Sequence, residues 1–266
     1  MNALCLYARY VRAYSIGQLQ YRVSLITRVI ATALSTLLEA LGIWVLFSRF
    51  GRLGSWTLTE SLLLYSVASM GFAFAEWFGR GFDKFPTLVV SGDFDRLLLR
   101  PRSTVLQVLG TRFELNKLGR VVQGALLAGY CLTALSATLT PARVALLAAS
   151  VIGVTFAYTG VFVIFATLSF WTIQSMELSY ILTNLTLDMF LYPIDIYSAV
   201  LRRFFTFIVP LAAITYYPVT AVLDKVDATG LPGWFPWLAP SLGPLFFLAT
   251  LGFWHFGVRH YHSTGS

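Results

Sequence analysis

Apolar residues in this chain run in long stretches separated by short polar breaks, without the alternation of a half-buried strand. A bilayer core about 30 Å thick takes about 20 helical residues. Six stretches approach that length: residues 25–47, 58–78, 121–139, 144–170, 178–196 and 242–258. The break at 48–56 and the short turn at 140–143 each join neighbours as an antiparallel pair. A further apolar segment, 204–223, holds Pro210 and Pro218 and is flanked by Arg202 and Arg203 on one side and by Asp224, Lys225 and Asp227 on the other. Interior proline removes a backbone donor, and a membrane tolerates such breaks only where protein or water covers them. This segment is read as an external re-entrant helical hairpin, with a full crossing as the alternative.

Residues 1–22 behave differently. Arg9, Arg12 and Arg22 stand among Leu4, Leu6, Tyr7, Tyr10, Val11 and Tyr14, with no continuous apolar run of the kind a secretory leader carries. The pattern predicts an amphipathic helix lying on the membrane surface. The expected architecture is therefore an all-α polytopic membrane protein: one domain over 1–266, six transmembrane helices, an N-terminal interfacial helix and a re-entrant segment at 204–223.

Composition agrees. Of 266 residues 57% are apolar and only 12% charged, too few to cover a soluble surface. The net charge of +7 is carried on loops, and the stretch 79–120 mixes Asp83, Asp93, Asp95 and Glu114 with its bases, unlike a nucleic-acid footprint. Placing residues 1–22, the 79–120 loop and the C-terminal tail in the cytoplasm, with Arg28 at the near end of the first span, puts thirteen of nineteen Lys and Arg residues inside. That is the asymmetry of the positive-inside rule, and it predicts a cytoplasmic N-terminus. Cys5 and Cys131 lie too far apart in sequence and setting to imply a disulfide framework.

Enzyme signatures are missing. The three lysines follow Asp83, Asn116 and Asp224, so no Gly-Lys pair and no phosphate-binding P-loop exists. His255, His260 and His262 crowd the last span without a ligand set at zinc spacing. No cofactor or metal site is expected in this chain. Two acids do fall within spans, Glu39 and Asp188. Intramembrane carboxylates are costly and are candidate functional sites, unless a Ser, Thr, Tyr or Arg on a neighbouring helix satisfies them.

The most informative loop is 79–120. Ser91 or Asp93 caps a short helix in which Phe94, Leu97 and Leu98 fall at i, i+3 and i+4, Asp95 and Arg96 turn away, and Pro101 stops it near Arg100. Such a peg either lies on lipid or docks into a groove of a cytoplasmic partner.

The run Ser91-Gly-Asp-Phe-Asp-Arg-Leu-Leu-Leu-Arg-Pro-Arg-Ser103, followed by Gln107 and Leu118-Gly-Arg120, resembles the loop of type-2, exporter-like ABC transporter permeases, in particular a bacterial six-span subfamily. Tyr192-Pro193, Ile196-Tyr197, Phe205 to Ala212 and Tyr216-Tyr-Pro218 are similar to its region between spans five and six. The resemblance implies a permease in the inner membrane that acts with a second permease subunit, identical or related, and with a separate cytoplasmic ABC ATPase that binds ATP and Mg. It also implies that Asp93, Phe94, Asp95, Arg96, Leu97, Leu98 and Arg100 form the coupling helix that grips that ATPase. An integral membrane enzyme acting on lipids and a membrane scaffold are the rival readings.

Overall fold

The computed structural model describes residues 3–135, 140–172, 197–225 and 231–261, with isolated positions between 177 and 194. Every regular element among the described residues is helical. Helix α1, Ala3–Gln20, is separated by Tyr21 from α2, Arg22–Phe50. Helix α3, Leu58–Asp83, starts where the Thr57 N–H donates to Glu60 Oε2 at 2.7 Å, one arm of a capping box. Short helices α4, Phe85–Val90, α5, Asp93–Leu98, and α6, Thr104–Leu109, follow. Then come α7, Leu118–Ala134, and α8, Pro141–Leu168. Thr140 Oγ1 accepts from the Arg143 N–H to cap α8, and Pro141 sits where its missing N–H costs nothing.

The second apolar stretch does not end at residue 78 as its hydropathy indicates. Helix continues through α4, making a 33-residue unit, Leu58–Val90, because Phe82, Phe85 and Val89 bury against the chain's own core. Among the described residues four helices are long and apolar enough to cross a membrane: Arg22–Phe50, Leu58–Val90, Pro141–Leu168 and Phe235–Arg259. A bent pair makes a fifth if counted as one span. Six were expected; the fifth predicted stretch, 178–196, falls mostly outside the described residues, and the third is described as far as 135.

The bent pair falls on the segment expected to be re-entrant, with a geometry that suits a broken span as well as a re-entrant loop. Helix α9, Ala199–Arg203, runs through one turn of π-helix, Phe204–Ile208, and meets α10, Leu211–Val222, at 97°. The two prolines do not act alike. Pro210 stands at the bend, whereas Pro218 lies inside α10 without ending it. A helix can absorb the lost donor when packing fixes its neighbours, and α10 is buried along nearly its whole length.

The core is built on α3 and α8, with α10 and the last helices laid against α8. Helix α11, Phe235–Leu238, leads through a 3₁₀ turn, Ala239–Ser241, into α12, Leu242–Arg259. At the α8–α12 crossing a methyl group on Gly243 would collide with the Gly153 backbone, and one on Gly153 would collide with the Pro240 carbonyl, so both glycines are needed for the approach. Helix α2 is peripheral; Thr36, Ile43 and Phe47 turn inward, while Leu34, Leu38, Trp44 and Val45 are exposed.

At one end of the bundle, α10 is clasped from two sides. Arg143 Nη2 bonds both Asp224 oxygens, at 2.6 and 2.8 Å, and its Nη1 donates to the Val222 carbonyl. Lys225 Nζ donates to the Ser55 carbonyl at 2.7 Å, pairs with Glu60 at 2.8 Å and lies 4.5 Å from the Trp56 ring centroid.

A candidate docking surface at the arginine-rich end

The opposite end gathers α1, α4, α5, α6 and the ends of α3, α7 and α12. Ser91-Gly92-Asp93 makes the corner between α4 and α5: Gly92 takes φ of +71°, and Ser91 Oγ donates to Asp93 Oδ2 at 2.8 Å. Arg96 closes a 3.4 Å contact to Asp93 within the same turn. At the other end of α5 the Gln107 amide donates to the carbonyls of Leu97 and Arg102, both at 3.1 Å, stapling α5 to α6.

The apolar face of α5 is divided. Phe94, grouped by periodicity with Leu97 and Leu98 as an outward knob, is instead fully buried. Its ring meets Phe85 at 4.8 Å, Tyr261 at 5.1 Å, Phe170 at 5.5 Å and Trp254 at 6.2 Å between centroids. Edge-to-face pairs of this kind add to the burial of the rings themselves. Trp254 also packs on Phe82 and Phe85 and donates from Nε1 to Thr104 Oγ1 at 3.1 Å. Phe94 thus plugs α5 into its own membrane helices, and Leu97 packs half-buried beside it. What faces outward is Leu98, 40% exposed, and Leu99, 85% exposed, with Arg96 and Arg100 beside them. Asp93 and Asp95 are partly exposed at the base.

Behind this surface lies a balanced charge network. Glu76 Oε1 accepts from Arg80 at 3.0 Å and Lys117 at 2.7 Å; Arg80 also pairs with Asp83 at 2.8 Å and reaches Glu114 at 3.4 Å. It binds the end of α3 to the segment entering α7. Helix α1 is fastened to the same segment by Gln18, whose amide donates to the Phe113 carbonyl and accepts from the Leu115 N–H at 3.0 Å. Tyr10 lies over Gly110, and Tyr7 donates to the Phe78 carbonyl at 3.4 Å, with burial pushing its phenol up to about 12.

The intramembrane candidates separate. Glu39 has a partner on each oxygen: Arg120 Nη2 at 2.8 Å and the Tyr65 hydroxyl at 2.8 Å, and the Arg120 guanidinium lies 5.4 Å from the Phe72 centroid. Asp188 lies outside the described residues. Sequence reading missed Leu99, Gln18, Phe85 and Trp254. Only Leu99 carried a signal, as the third leucine in Leu97-Leu98-Leu99; the others act through contacts distant in sequence.

Residues 33–265 match the family model described as ABC-2 family transporter protein. The chain belongs to this family. No curated protein and no solved structure matches it. An ABC-2 family member is a membrane transport subunit rather than an enzyme, and its family normally pairs with an ABC ATPase. In this ABC-2 chain α4–α6 form a structured unit at one end of the bundle of apolar helices.

Proposed function

We propose that this chain is the membrane-spanning permease subunit of an ATP-driven exporter. Its spans number six, its N-terminus and its arginine-rich end face the cytoplasm, and it works in the inner membrane as a homodimer or with a related permease. A separate ABC ATPase, holding ATP and Mg, docks on α5. One observation carries this reading: α5 is bound rigidly to the membrane helices through Phe94 while its tip offers Leu98 and Leu99, exposed and flanked by Arg96 and Arg100. An apolar anchor ringed by charge suits a partner's groove, where burial supplies affinity and the charges set register.

The physics of coupling follows from that split. A partner shifts the balance of inward- and outward-facing states only by binding them with different affinity. Force applied at Leu98 and Leu99 passes through Phe94 into Trp254 on α12, Phe85 beyond α3 and Phe170 beyond α8. Rigid elements in contact then move as bodies. Asp93 and Asp95 orient α5 through its first turn, and Leu97 seats its inner side.

The test is reconstitution with the ABC ATPase that co-purifies with the chain. Leu98→Asp with Leu99→Asp, both at exposed positions, leaves folding and membrane insertion intact and abolishes ATP-dependent flux and ATPase binding. Unchanged flux by that double variant overturns the proposal.

A further inference from the structure

Helices α2 and α7 enclose an apolar groove of about 570 Å³ on the outside of the bundle. Its walls are Val29, Ala33, Leu37 and Ala40 on α2, facing Gly119, Val122, Leu126 and Tyr130 on α7. Small residues at Ala33 and Gly119 let the backbones approach: a methyl group on Gly119 would strike the Val29 carbonyl. From Val29 to Ala40 the groove runs roughly 16 Å along α2 at 1.5 Å per residue. That is about half of a ~30 Å hydrocarbon core, the depth of one leaflet.

The groove's lower mouth is charged. Arg28 precedes Val29 directly, Arg22 lies below it, and both are exposed, with no acid paired to them among the described residues. The acids near this end are already engaged: Glu76, Asp83 and Glu114 by Arg80, Lys84 and Lys117, and Glu39 by Arg120. The positive charge at the mouth is therefore uncompensated. Within the groove stands one amide, Gln123, whose buried Oε1 has no hydrogen-bond partner. With that oxygen buried, the amide N–H is the end left to meet an ester carbonyl.

We infer that the α2–α7 groove is a binding site for an anionic phospholipid of the leaflet at the arginine-rich end. The phosphate sits on Arg28 and Arg22, the ester region near Gln123, and one acyl chain between Ala33, Leu37, Val122 and Leu126. Length, apolar walls and charge at one mouth select this occupant over a second copy of the chain, which would have to bury Arg22 and Arg28 without acids to meet them. The inference uses only the crossing of the membrane by α2 and α7, and not the identity of the transported cargo.

The experiment uses the full chain, delipidated in detergent, with phosphatidylglycerol or phosphatidylcholine added, read by native mass spectrometry for retained lipid and by thermal unfolding. Phosphatidylglycerol is retained more tightly and raises the unfolding temperature more. Each of Arg28→Gln and Arg22→Gln lowers its affinity about fivefold, the worth of one basic residue at an anionic surface. Val122→Trp, at an exposed position, fills the groove and lowers retention of both lipids. Equal retention of the two lipids by the unaltered chain, or unchanged retention in Val122→Trp, overturns the inference; so does a Val122→Trp chain that loses a dimer instead of a lipid. Lipid selectivity without ATP-dependent flux would overturn the exporter reading alone.

Discussion

Arg120 on α7 donates to Glu39 on α2 across 2.8 Å, and the Tyr65 hydroxyl on α3 occupies the other Glu39 oxygen at the same distance. Three helices that share few other polar contacts are joined at one carboxylate. Placing an ion pair in apolar surroundings is costly, but removing one partner costs more, because the other charge is left without its counter-ion. Arg120→Met is expected to lower stability by about 3 kcal/mol or more. Glu39→Gln combined with Arg120→Met recovers a large part of that loss. Unfolding of the three variants in detergent forms the cycle, and simple additivity would exclude the pairing as the cause.

Phe94 is the second case in which a single side chain joins distant elements. Its removal leaves a cavity among Phe85, Phe170, Trp254 and Tyr261, a change that costs about 3–5 kcal/mol at fully buried aromatic sites. That loss falls on the α5 unit more than on the bundle, since the rest of the core lies elsewhere along α3 and α8. Phe94→Ala should therefore speed trypsin cleavage after Arg102 well before the whole chain unfolds. Cleavage at the unaltered rate would show that α5 is held by something other than this ring.

The network around Glu76 makes a different prediction. Lys117→Met leaves Glu76 with Arg80, while Arg80 keeps Asp83 and Glu114, so the loss is about 1–2 kcal/mol, less than for an isolated buried pair. Glu76→Ala strands Lys117 as well as unbalancing Arg80 and should cost more. Thermal unfolding of the two single variants ranks them, and the reverse order would contradict the shared role of Glu76.

Close approach of α8 and α12 depends on absent side chains. Gly243→Ala forces a methyl group onto the Gly153 backbone, which cannot rotate away as a side chain would. The expected cost is about 1–3 kcal/mol, and adding Gly153→Ala should deepen it, because a methyl group there meets the Pro240 carbonyl oxygen and the Ile214 side chain. The control is Gly252→Ala on the same helix, where open space lies around the position and stability should hold or rise slightly.

Much of the architecture was written in composition and run length. Long apolar stretches gave α2, α3, α8 and α12 close to their true centres, since a helix that meets lipid or a deep core needs only length and apolarity. The ends were harder: α3 ran on through α4 because Phe82 and Phe85 found aromatic partners on α5 and α12, which no local window contains. At 204–223 the proline signal located the bend but weighted both prolines equally.

The α5 motif shows the division most clearly. From the residues themselves came a short helix, its stop near Pro101 and the charged flanks at Arg96 and Arg100; the cap expected from Ser91 or Asp93 is not formed, since Gly92 holds the N-cap position and no side chain bonds the first N–H groups. Periodicity placed Phe94, Leu97 and Leu98 on one face, and that much holds for an isolated helix. Which part of that face turns inward depends on Trp254, Tyr261 and Phe170, residues about 75 to 165 positions away in the chain. The sequence by itself determined that this protein lives in a membrane, where its long apolar helices lie, and that it carries no nucleotide loop, because those follow from local hydropathy and motif spacing. Only the tertiary structure decided that Phe94 is a plug and Leu98 and Leu99 the exposed tip, and that Glu39 is answered by Arg120 and Tyr65. Burial and pairing are properties of neighbours in space, and a linear pattern does not name those neighbours.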